Sequence, residues 1–146
     1  MWVRATFALC HGRAVLIQAC LNGGRTRAEH PAVPLTPVEL AAEARAARLA
    51  GAQALHLHPR DVSGAQTLAA DDVLAAVAAV RAATGLPVGV TTGIWTVDGD
   101  AARRMSLVAE WSGPDRPDRS KAEMMLPEPW QAVYRLRSAL SAGTHR

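Results

Sequence analysis

Two histidines one residue apart, His56 and His58, stand just before Pro59-Arg60-Asp61. In an extended segment residues i and i+2 project from the same face, so both imidazoles would stand side by side. Two neutral imidazoles on one rigid edge make half of a site for Zn²⁺, which takes four ligands and keeps one position open when catalytic. The competing reading is a pair of core histidines bonded to neighbours. A third protein ligand is needed, and spacing identifies none. Arg60 and Asp61 read in two ways: Asp61 orients a ligand histidine, or the two form a surface ion pair at a loop entrance.

Three further groups could join this chemistry. Thr91-Thr92-Gly93 offers two hydroxyls and a glycine that could hydrogen-bond a substrate carboxylate, or could be an ordinary threonine-rich strand end with a turn glycine. Asn22, Arg25 and Thr26 follow another strand, and a guanidinium suits carboxylate or phosphate recognition. Gly23-Gly24 lacks the spacing of either nucleotide-binding fingerprint, which excludes a phosphate loop. There is no glycine-flanked serine, and Cys20 falls inside a strand, so nucleophilic hydrolysis has no support. Cys10 and His11 are adjacent but isolated.

The elements that must position these residues are legible. Residues 14–21 form a near-continuous apolar run, suited to a strand covered on both faces. A thirteen-residue loop over 23–35 follows, long for a connection inside a compact domain. Thr36-Pro37-Val38-Glu39 then opens a helix with a capping threonine, a proline at the first position and a glutamate that can reach back. It runs to Leu49, with Gly51 beyond its end. Residues 53–58 read as a second strand stopped by Pro59, residues 70–84 as a helix carrying Val73, Val77 and Val80, and 87–92 as a third strand. A third helix is expected over 100–111. The texture then becomes rich in Pro, Arg and Asp, with no fourth strand and only residues 130–140 resembling a helix.

The order β-α-β-α-β-α implies parallel strands joined by right-handed crossovers. About 33 residues per unit agrees with the ~31 of a (β/α)₈ barrel, although a small doubly wound sheet would alternate in the same way. Residues 1–13 then form an N-terminal extension, 14–111 a partial (β/α) barrel domain, and 112–146 an atypical, irregular or helical tail. The 146 residues fall well short of a full barrel's ~250.

Composition narrows the function classes. Hydrophobic residues make up 49% of the chain and net charge is only +3, which suits a globular protein. Fifteen arginines against the single Lys121, beside thirty alanines, read as base composition and not as a nucleic-acid surface. No apolar run approaches a membrane span, and His11-Gly12-Arg13 interrupts the only candidate leader. Two cysteines fit a reducing cytoplasm.

Taken together the residues resemble the β-keto acid cleavage enzyme family, whose founding activity is 3-keto-5-aminohexanoate cleavage. The resemblance rests on Ala19-Cys20-Leu21-Asn22-Gly23, on His30-Pro31-Ala32-Val33-Pro34-Leu35-Thr36-Pro37, on Gly51-Ala52 with His56-Leu57-His58-Pro59-Arg60-Asp61, and on Thr91-Thr92-Gly93. It implies a (β/α)₈ barrel and a zinc-dependent transferase, the metal being Zn²⁺ or another divalent ion. Such enzymes condense a β-keto acid with acetyl-CoA and release acetoacetate and a new acyl-CoA. The resemblance maps the metal onto His56 and His58, and substrate binding onto Thr91, Gly93 and Asn22.

The family's carboxylate metal ligand and its proton-handling arginine and aspartate come from late strands that have no counterpart in this sequence. The catalytic residues are therefore unknown, and the expectation is a truncated or frame-shifted product whose own activity is in question. Open sheet edges favour a homo-oligomer or a complementing fragment. The alternative is a non-catalytic metal- or partner-binding α/β module.

Overall fold

The computed structural model describes residues 16–120. The start of the expected first strand, the pair Cys10-His11 and the helix expected over 130–140 lie outside the described residues. The first strand is β1, Gln18–Cys20. It is followed by α1, Pro37–Leu49, β2, Ala54–Leu57, α2, Ala70–Thr84, and β3, Val88–Val90. A 3₁₀ turn over Ile94–Val97 precedes α3, Ala101–Ala109. A fourth strand, β4, is Arg119–Ser120.

Local chemistry explains the helices. Thr36 accepts from the Glu39 N–H while the Glu39 carboxylate accepts from the N–H groups of Thr36 and Leu35, each at 3.0 Å. That closes the expected capping box. These two backbone donors, Thr36 first and Leu35 next, hold the Glu39 carboxyl down at about 2 against its ordinary 4.5. A carboxylate depressed on folding stabilises fully above its unfolded pKa and loses that contribution as pH falls through the folded value. Wild-type stability should therefore decline between pH 4.5 and about 2 in a way that Glu39→Gln does not share. Denaturant midpoints of both proteins across that window test this; parallel curves would remove the cap as the cause.

Helix α2 has no side-chain cap, and Asp71 and Asp72 sit against its positive N-terminal dipole instead. It ends on Gly85, whose φ of +66° is left-handed backbone that glycine adopts without a Cβ clash. Its stripe of Val73, Ala76, Val77 and Val80 joins Leu40 and Ala44 of α1 against Leu55, Leu57, Val88 and Val90 of the sheet. Arg48 of α1 donates to the Thr84 carbonyl at the end of α2, tying the two helices together.

The strand order β1-β2-β3-β4 settles what periodicity left open. All three pairings are parallel, and the order never reverses. A doubly wound sheet needs a reversal to place helices on both faces. Here α1 and α2 share one core against the same face of the sheet, as in an arc of a barrel. The opposite face, bearing Gln18, Cys20, His56 and Gly89, corresponds to the barrel interior.

Strand β4 corrects the expectation of no fourth strand. It has only two residues and no apolar signal, and tertiary contacts set it in place. Arg81 of α2 donates to the carbonyls of Pro114 and Arg116 and to the Asp118 carboxylate, the last at 2.8 Å. The same Asp118 oxygen accepts the Val88 N–H at 2.8 Å, while the Asp118 N–H donates to the Val88 carbonyl. Burial pushes the Asp118 carboxyl up, but the Val88 N–H and the Arg81 guanidinium outweigh it and leave the pKa lowered. Among the described residues, no helix is long and apolar enough to cross a membrane.

Candidate metal centre at the strand ends

Register places Cys20 of β1, His56 of β2 and Gly89 of β3 in one row across the sheet. Leu55 and Leu57 enter the helix-covered core, 1% and 0% exposed. Alternation along β2 therefore sends His56 to the interior face. His58 follows on that same face, just past the end of β2. The two rings lie with centroids 5.4 Å apart and planes at 83°. Two imidazoles sharing one tetrahedral ion, with metal–nitrogen bonds of about 2.0–2.1 Å, put their centroids about 5 Å apart. The separation is compatible with a shared ion and equally with an edge-to-face ring contact, and both histidines are only half-buried. Among the described residues, no group of three or more His, Cys, Asp and Glu could hold a metal.

The backbone beneath His58 is held by Asn22. Its Oδ1 accepts the His58 N–H at 2.9 Å, and its Nδ2 donates to the His58 carbonyl at 2.9 Å and to the Pro34 carbonyl at 3.1 Å. The side-chain amide thus replaces the next rung of the β1–β2 ladder and pins the end of the long loop. That loop is further fixed by Arg60, which donates to the carbonyls of Gly23 and Arg25 at 2.8 and 2.9 Å. Burial pulls the Arg60 pKa below its ordinary value. Arg60 and Asp61 are not an ion pair with each other: each serves a different loop.

Asp61 Oδ1 accepts from the Ser63 N–H, the Ser63 hydroxyl and the Ala65 N–H. These bonds, the Ser63 hydroxyl foremost, lower the Asp61 pKa. With Gly64 at φ +85° they fold residues 60–66 back on themselves, closed by an antiparallel bridge between Arg60 and Gln66. The fold-back brings Gln66 Oε1 to 2.7 Å from His58 Nδ1. Asp61, read as orienting a histidine, uses its Oδ1 to build the turn that delivers Gln66 to His58. The turn signature Asp61-Val62-Ser63-Gly64 is the one sequence sign that residue 66 returns beside residue 60.

A family model described as beta-keto acid cleavage enzyme matches residues 14–133. The chain belongs to that family. The match takes in all four strands and runs past residue 111, where the sequence resemblance stopped. The family's (β/α)₈ barrel accommodates the parallel arc seen here.

The three positions carried over from β-keto acid cleavage enzymes as substrate contacts have different surroundings. Thr91 is buried at the end of β3, and neither its hydroxyl nor that of Thr92 has a hydrogen-bond partner among the described residues. Buried unsatisfied hydroxyls are uncommon and call for a ligand or another explanation. Asn22 is also buried, but both its amide donor bonds go to backbone carbonyls. Gly93 makes room for Trp95, because a Cβ there would strike the indole ring. A cleft of about 150 Å³ between the long loop and α1, lined by Arg27, Pro34, Glu39 and Glu43 among others, includes neither histidine.

Proposed function

We infer that His56 and His58 are two ligands of a divalent metal, most simply Zn²⁺, in a β-keto acid cleavage site. The substrates are a β-keto acid and acetyl-CoA, and the products acetoacetate and the acyl-CoA of the remaining chain. The single observation carrying this reading is the imidazole pair, 5.4 Å apart on the interior face at the carboxyl ends of parallel strands. When bound, the metal supplies Lewis-acid polarisation of a keto oxygen.

The chain's own groups do the rest of what residues 16–120 contribute. Thr91 donates its hydroxyl to the substrate carboxylate, lowering the entropic cost of alignment. Asn22 holds the His58 backbone, and the loop-closing Arg60 keeps the strand ends together. Completion of the metal shell falls to groups outside residues 16–120, from this polypeptide, a second copy or a complementing fragment. The setting is the cytoplasm, consistent with a free thiol at Cys20.

Calorimetric zinc titration of the full chain tests the ligand pair. Wild type should bind one equivalent, and the His56→Ala/His58→Ala variant should lose measurable affinity with its fold intact. Equal affinity in both proteins overturns the reading. Acyl-CoA formation from a β-keto acid and acetyl-CoA then separates transferase from module: metal binding without turnover leaves the non-catalytic alternative.

A further inference from the structure

We propose that Gln66 is a positioning residue that fixes the tautomer of His58, with its own amide oriented by Trp95. The indole Nε1–H of Trp95 lies 3.4 Å from Gln66 Oε1. An indole nitrogen only donates, so the amide atom facing it is the carbonyl oxygen and not the NH₂. That same oxygen meets His58 Nδ1 at 2.7 Å. Two acceptors do not attract, so in the neutral ring Nδ1 carries the hydrogen and Nε2 the lone pair.

An imidazole whose other nitrogen donates to a fixed acceptor is held in orientation and made a better metal ligand. Each link in this relay has a sequence cause. Gly93 lacks the Cβ that would strike the indole, so Trp95 can lie across it. The Asp61–Ser63 turn returns Gln66 beside β2. Trp95 is 55% exposed, so core packing alone does not explain its placement. The consequence for metal affinity rests on the imidazole pair being a metal site; the tautomer does not.

The test is ¹⁵N NMR of the histidine rings in the full chain at about pH 8, above the ordinary imidazole pKa. The His58 signals are assigned with a His58→Gln variant. Wild type and Gln66→Glu should show His58 as the Nδ1–H form. Gln66→Leu should move it to a mixture containing the Nε2–H form, and Trp95→Phe, which removes the indole donor together with part of the ring lying across Gly93, should move it part of the way. Zinc affinity should fall about 10–100-fold in Gln66→Leu and be rescued to within a few-fold in Gln66→Glu. A predominantly Nε2–H His58 in wild type, or spectra that do not respond to Gln66→Leu and Trp95→Phe, overturns the proposal. Nδ1–H signals that respond as expected, in a protein that binds no zinc, uphold the relay and remove the metal reading instead.

Discussion

Leu57→Ala should lower the unfolding free energy by about 3–5 kcal/mol, while His56→Ala and His58→Ala on either side of it cost much less. Leu57 is fully buried within the cluster of Leu40, Val73, Val77 and Val90, so truncation leaves a cavity lined by two helices that already pack on each other. His56 and His58 point to the other side of the sheet and are half-buried. Adjacent residues on one strand thus answer to different demands, stability on the helix face and chemistry on the interior face. Denaturant unfolding of the three single variants, followed by circular dichroism, makes the comparison. Should the histidine variants unfold as readily as Leu57→Ala, the interior face would be core, and the case for a site there would fall.

The parts of the fold legible in the sequence are those whose causes are local. Thr36, Pro37 and Glu39 specify the start of α1 within four residues, and Asp100 caps α3 by accepting the Arg103 N–H. The valine spacing of α2 and the closing Gly85 are equally self-contained. What the sequence does not show depends on residues far apart in the chain. Strand β4 exists because Arg81 and Val88 reach Asp118, 37 and 30 residues away. Two polar residues carry no strand signal of their own. The 3₁₀ turn over Ile94–Val97 is hidden for a different reason: it follows a glycine whose value lies in accommodating the Trp95 ring.

The site shows the same division. That His56 and His58 share a face follows from a period of two, which the sequence states directly. Which neighbour meets His58 does not, because adjacency in sequence favours Asp61 over Gln66. The carboxylate three residues beyond His58 is absorbed by its own turn, and the amide eight residues beyond makes the contact. Strand order has the same character. Alternating elements allow a barrel or a doubly wound sheet, and only pairing β1 with β2, β2 with β3 and β3 with β4 removes one of them.

Asn22→Asp should be among the most damaging near-isosteric changes in this chain, costing about 3 kcal/mol or more at neutral pH. The carboxylate keeps the acceptor for the His58 N–H but replaces both donor bonds with charge facing the carbonyls of Pro34 and His58, 3.1 and 2.9 Å from the present nitrogen. At 6% exposure, water cannot relieve that repulsion. Burial beside two carbonyls favours the neutral acid, so the folded pKa of the introduced group lies above its unfolded value of about 3.9. The sign follows: the penalty is smallest below the unfolded pKa and grows as pH rises towards the folded one. In the protonated variant one carboxyl hydrogen can satisfy a single carbonyl, so recovery at low pH is partial. Asn22→Ala leaves the same backbone groups unpaired without the charge, and should show a loss that does not steepen between about pH 5 and 8. Denaturant midpoints of wild type and both variants across that range make the comparison. Equal and pH-independent stability of the Asn22→Asp variant and wild type would mean that Asn22 does not clamp His58 in solution, and that its amide is available to a ligand after all.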